Sequence, residues 1–273
     1  MKLITSLFFF LFSGQLLASE GGFTWLGPIS HHFHIPQHVL ALVLVGIMLT
    51  ALGVVYRLKL SKVENIIIPD KGITTRNIVE ALGQFIYNQC QAIMGENNAK
   101  KYFPLMITFF ILIFASNLLG LIPGLIPPTD HLSTTLALGV ISFLYYNYIG
   151  CKEQGVINYI KHFAGPVWYA AVLIFPLEIV SNIFRPFTLA LRLRGNMMGD
   201  HLVLQVFSEI IPNKLPPIAN QIMAVLAPMP FFLLGMLVCF IQAFVFTMLS
   251  IVYIGLVANA HHDHDEHHQA AHH

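Results

Sequence analysis

Between residues 178 and 209 an otherwise apolar stretch carries Glu178, Arg185, Arg192, Arg194, Asp200, His201 and Glu209. Carboxylates and imidazoles take up and release protons, whereas an arginine, with its pKa above about 12, stays charged throughout. A fixed cation among titratable groups suits the stepwise movement of protons. A charge in mid-membrane costs about 2.5–3.5 kcal/mol on insertion scales, so such residues usually face protein or a water-filled path. Arg185 and Glu209, near the ends of the stretch, are equally compatible with a boundary position from which they reach water. Arg192 has long apolar or weakly polar sequence on both sides.

Helical geometry sorts these groups. Relative to Arg192, and taking about 100° per residue, Ser181 falls at about −20°, Arg185 at about +20°, and Glu178 and Asn196 at about +40°. One polar stripe therefore shares the face of Arg192. His201 falls on about the opposite side, with Asp200 roughly between. A bend at Pro186 would turn the first group by some tens of degrees. A positive barrier flanked by titratable groups at different depths is how two separate proton paths would be built. The apolar stretch 219–258 contains no Asp, Glu, Lys or Arg; its polar members include Gln221, Gln242, Thr247 and Ser250, with Tyr253 and Asn259 near the end. Gln242 is the candidate partner for Arg192 from a second helix, although buried glutamines also join membrane helices without any part in transport.

The elements that position these residues follow from composition. The chain has 273 residues, 56% hydrophobic and only 10% charged, with a mean hydropathy of +0.71. Soluble domains carry about 25% charged residues, so this chain cannot clothe itself in a water-soluble surface. A cytosolic globular enzyme, a nucleic-acid binder and a disordered chain are excluded; an all-α polytopic membrane protein remains. Apolar runs at 38–58, 102–122 and 133–149 match the roughly 20 residues that one crossing needs. The runs at 165–211 and 219–258 are about twice that length, so each is either two spans or one long helix.

Lys and Arg give the orientation, because cytoplasmic loops retain them. Arg57, Lys59, Lys62, Lys71, Arg76, Lys100 and Lys101 lie between the first two spans, and none lies in 123–132. The amino terminus is therefore expected outside and the carboxyl terminus in the cytoplasm. Residues 1–18 read as a signal peptide, with Lys2 before an apolar core and Ala18 at the cleavage site; an uncleaved membrane segment is the alternative. The segment 66–94 is too polar to span, and Ile78, Leu82, Phe85, Ile86 and Ile93 come near helical spacing. It is expected to form an amphipathic cytoplasmic helix, either lying on the membrane or a partner or merely connecting two spans. Proline at 123, 127, 128 and within 212–217 marks outside turns.

Two features carry little chemistry. Cys90, Cys151 and Cys239 lie far apart, with no disulfide or metal spacing. The tail 261–273 holds half of the fourteen histidines and could hold a divalent ion loosely. A solvated tail is the plainer expectation, with no fixed helical spacing to make a His pair a specific site.

The run Leu191-Arg192-Leu193-Arg194-Gly195-Asn196-Met197, followed by Ile241-Gln242-Ala243-Phe244-Val245-Phe246 and Ile251-Val252-Tyr253-Ile254, resembles subunit a of the bacterial rotary ATP synthase. Lys101-Tyr102-Phe103-Pro104-Leu105 and Ser116-Asn117-Leu118-Leu119-Gly120-Leu121-Ile122-Pro123 add to the likeness, which runs from about residue 36 to residue 259. The resemblance implies about five membrane helices, the last two long and strongly tilted as a hairpin against a ring of c subunits. It implies a proton-translocating stator subunit, itself non-catalytic, in a bacterial inner membrane. Protons would enter one half-channel, ride a ring carboxylate and leave by another. Arg192 matches the stator arginine, Asn196 and Gln242 the polar residues near it, Glu178 and Ser181 the inner half-channel, and His201 the outer one, with Asp200 beside it. Expected partners are the c ring, peripheral-stalk b subunits, other synthase subunits and lipid, with no cofactor, metal or nucleic acid.

Three departures stand out. Position 194, usually apolar in the family, is arginine; at about 200° from Arg192 it points away from the stripe. His201 and Asp200 both lie on the first long helix, and the corresponding position on the second is Gly235. The His-rich tail has no counterpart. A stand-alone secondary transporter would show inverted repeats, and an intramembrane metalloenzyme a His-Glu-x-x-His pair; neither is in the sequence. Deleting residues 261–273 is expected to leave proton-driven ATP synthesis nearly unchanged, and a large loss in membrane vesicles would assign the tail a role.

Overall fold

Long apolar runs with few charges leave the backbone one way to satisfy its own polar groups in hydrocarbon, which is the helix. The computed structural model describes residues 24–60, 74–122, 124–156, 159, 171–210 and 228–270, with side chains left undescribed at 154, 171–173, 200–210, 228 and 259–270. The α-helices among these residues are α1 (Gly27–Phe33), α2 (Gln37–Leu60), α3 (Thr75–Leu119), α4 (Leu132–Gln154), α5 (Ala171–Ile210) and α6 (Pro228–Ala270), with a 3-10 turn at Pro128–Asp130. No strand occurs among the described residues. Helices α2 to α6 are each long and apolar enough to cross a membrane. The signal segment 1–18, Pro123 and the prolines of 212–217 lie outside the described residues.

The described parts of the two double-length runs lie in single helices, of 40 residues for α5 and, with the tail that follows, 43 for α6. At about 1.5 Å per residue each is roughly 60 Å long, about twice the hydrocarbon thickness. The expected amphipathic segment and the second span follow one another within α3, joined at Gly95, whose φ of 78° and ψ of 167° break the helix. Glycine fits there because a positive φ strains a residue bearing Cβ. Thr74 caps the start, its hydroxyl accepting from the Asn77 amide at 3.3 Å.

The chain divides into two compact units, each drawing pieces from several helices. The first unit comprises 1–51, 111–135 and 191–243. Its core joins Leu26, Ala41, Val45, Ala115 and Leu119, flanked by Leu40, Leu49, Leu112 and Leu125. The Thr129 hydroxyl donates to Asn117 Oδ1 at 2.7 Å, and the His38 and His131 rings stack at 4.2 Å.

The second unit comprises 52–110, 136–190 and 244–273. Here Ile86, Cys90 and Met94 are buried at one-turn spacing on α3. This stretch of α3 meets α6: the Phe85 and Phe244 rings lie 5.3 Å apart, and Gly255 lets Ile93 and Met94 approach. The amphipathic segment is therefore more than a connection, because its apolar face packs on the chain's own last helix. Ile78 stays exposed. Arg76, buried at 2% exposure, pairs with Glu80 at 2.7 Å. Across α4 and α6 the buried Ser142 and Ser250 hydroxyls bond at 2.9 Å.

Helix α6 continues through Ala270. The expectation that the tail's histidines lack helical spacing fails on this backbone, since His264 and His268 come four residues apart, about one turn. Their side chains are outside the described residues.

One close approach fixes α4 against α5. A Cβ built on Gly139 would lie 2.7 Å from the Pro186 carbonyl oxygen, which is backbone and cannot swing away. Gly139→Ala is expected to lower the melting temperature of the purified protein in detergent, at a cost of about 1–3 kcal/mol. Gly46→Ala, with nothing within 4 Å of its added carbon, should show no loss in the same assay.

Candidate functional site

Helix α5 is shaped by its two internal prolines, Pro176 and Pro186. Each removes an amide donor without ending the helix. Past Pro186 the Thr188 hydroxyl donates to the Arg185 carbonyl at 2.9 Å. The buried side of α5 consists of Asn182, Pro186, Leu189, Ala190, Leu193 and Met197, returning every three or four residues. Outward lie Leu177, Val180, Ile183, Phe184, Phe187, Leu191 and Met198, all large and exposed. The polar stripe runs along the boundary between these two sides.

In the first unit, Arg192 is exposed and forms no ion pair among the described residues. Asn196, one turn further on, donates from Nδ2 to Gln242 Oε1 at 2.6 Å. Gln242 is buried at 3% exposure. The amide oxygen of Gln242 thus engages Asn196, the other polar residue expected near Arg192. Arg194 is also exposed, and Gly235 is buried on α6. Asp200, His201 and Glu209 lie on the helical backbone of α5, but their side chains are outside the described residues.

In the second unit, Glu178 and Arg185 meet on α5, Oε1 to Nη2 at 3.4 Å. The Arg185 guanidinium lies over the ring of Tyr253 on α6, 4.6 Å from its centroid. Ser181, on the same helix, is exposed. Close by, Tyr159 donates to Asn147 Oδ1 at 2.9 Å, and burial pushes its phenol up, so it remains a neutral donor. Tyr146 Oη and Asn182 Oδ1 are buried without a hydrogen-bond partner among the described residues. Sequence reading assigns nothing to Tyr146, Asn147, Tyr159 or Asn182, and it leaves Tyr253 unpaired. No spacing rule reports contacts between helices a hundred residues apart.

The arrangement can hold a cation available to an outside partner and line a polar strip beside an apolar contact surface. Among the described residues no three His, Cys, Asp or Glu side chains gather as a metal site would require.

Comparison with known proteins gives the family. Residues 38–255 match the family described as ATP synthase A chain. The ATP synthase subunit a of Bdellovibrio bacteriovorus is 40% identical over 242 residues, covering 89% of this chain and 99% of that one. That of Sorangium cellulosum is 35% identical, over 86% of this chain and 87% of its own. That of Geobacter sulfurreducens is 43% identical, over 68% and 76% respectively. The chain therefore belongs to the ATP synthase subunit a family, the multi-pass, proton-translocating subunits in the membrane sector of F-type ATP synthases.

Proposed function

We propose that Arg192 is the stator cation of this subunit, facing the passing carboxylates of a ring of c subunits. The observation that carries the reading is an exposed guanidinium, with no ion-pair partner among the described residues, on a polar stripe that borders the large exposed apolar residues of α5. Such a charge costs about 2.5–3.5 kcal/mol at mid-membrane unless an anion or water meets it. A carboxylate on a turning ring meets that need at every step. The guanidinium keeps the carboxylate ionised as it passes and blocks a direct proton leak. The Asn196–Gln242 bond ties α5 to α6 one turn away and so holds the backbone that presents the cation.

Glu178 and Ser181 line the inner half-channel, and Asp200 and His201 serve the outer one. The lengths of α5 and α6 suit a tilted hairpin lying along the ring. The chain sits in the bacterial inner membrane with its amino terminus outside and its carboxyl terminus in the cytoplasm. It is itself non-catalytic, and peripheral-stalk b subunits hold it against the ring's torque. Each proton crossing 100 mV delivers about 2.3 kcal/mol, so several are needed per nucleotide, and a leak past Arg192 would dissipate them.

Arg192→Ala is expected to abolish proton-driven ATP synthesis while the complex still assembles; normal synthesis in membrane vesicles from that variant overturns the assignment. His201→Ala should slow proton flux and move its pH dependence, and an unaltered pH–rate curve would exclude a relay at that position.

A further inference from the structure

Glu178 and Arg185 are seven residues apart, two turns and about 10.5 Å of helix rise. Their contact therefore requires the arginine to reach back along α5, the direction in which helical side chains lean. At 3.4 Å the ion pair exceeds the usual range of a good hydrogen bond and would hold neither group alone. The second hold on Arg185 is the Tyr253 ring, well within the roughly 6 Å over which a guanidinium is drawn to an aromatic face.

The ring is itself fixed from α4. The Tyr146 ring, at 3% exposure, lies 5.9 Å from that of Tyr253. Three residues before Tyr253, Ser250 bonds Ser142. The same helix α4 meets α5 at Gly139, against the carbonyl of the residue following Arg185. One helix thus sets both the platform and the backbone that bears the cation. Ser181 stands between Glu178 and Arg185 in sequence and on the same stripe, so a carboxylate drawn toward Arg185 is drawn across Ser181.

We infer that Arg185 is a positioning residue for proton passage: seated on the face of Tyr253, it holds the Glu178 carboxylate in line with Ser181. The inference rests on the reading of Glu178 and Ser181 as part of the inner half-channel. It gives Tyr253 a function as the seat of a cation, beyond filling space.

The test uses the whole synthase in inverted membrane vesicles, reading ATP-driven and passive proton flux, with each variant's content of c subunits measured to normalise for assembly. Arg185→Gln is expected to slow flux about three- to thirty-fold, the rate equivalent of a partly desolvated cation–π contact. Tyr253→Leu should slow it by a similar factor. Tyr253→Phe keeps the aromatic face and Arg185→Lys keeps the charge, so each should recover most of the rate. The double variant R185Q/Y253L should be no slower than the slower single variant, because both changes break one contact.

Full flux in Arg185→Gln alongside slowed flux in Glu178→Gln would overturn this inference and leave the half-channel reading standing. Full flux in Glu178→Gln would overturn that reading and this inference with it. Losses that multiply in the double variant would return Tyr253 to packing alone. Should Arg185→Gln fail to assemble, the Tyr253→Phe and Tyr253→Leu pair decides: equal rates overturn the inference, and recovery by phenylalanine alone upholds it.

Discussion

A guanidinium that cannot lose its proton stands on a polar stripe between the buried side of a helix and its large exposed apolar residues, and most of the architecture answers to that placement. Arginine holds its charge at any physiological pH, so Arg192 cannot be made tolerable by neutralisation. It must be met by an anion or by water. Along α5 the buried residues return every three or four positions and the exposed apolar ones occupy the far side. The boundary between them is the one place where a polar strip interrupts neither packing.

The means of holding that strip differ between the two units. Around Arg192 it is a neutral bond, Asn196 to Gln242, donated at 2.6 Å onto a buried amide. Around Glu178 it is a charge on an aromatic face, Arg185 over Tyr253. In each case a side chain of α6 receives a side chain of α5. Among the described residues Arg192 has no ion-pair partner beside that neutral bond, whereas the second contact occupies Arg185. The proposed division of labour, one cation for the ring and one for the path, follows from which of the two is already engaged.

Close contacts of small residues carry much of the fold. Gly139 against the Pro186 carbonyl and Gly255 against Ile93 and Met94 let helices approach where any larger residue would hold them apart. Between membrane helices hydrophobicity offers little driving force, since lipid is as apolar as leucine; packing and hydrogen bonds supply it instead. The bond between Ser142 and Ser250 is the polar form of the same solution.

Composition alone determined the membrane class, because a chain with so few charges has no soluble surface to offer. The period of the helix placed Glu178, Ser181, Arg185, Arg192 and Asn196 on one stripe, and the motifs around Arg192 and Gln242 carried the family. Those are properties of residues near one another in sequence, where geometry is set by the backbone's own repeat. Sequence left open whether the two longest runs were pairs of spans, since length and hydropathy are the same either way; over the described residues α5 and α6 are each a single helix. It also named Gln242 as a candidate partner from a second helix without showing that its amide oxygen accepts from Asn196. Nothing in it joined Arg185 to Tyr253, or sent the apolar face of 75–94 onto α6. Contacts between separate helices depend on their rotation and approach, which small residues and prolines set collectively, and no local pattern records that sum.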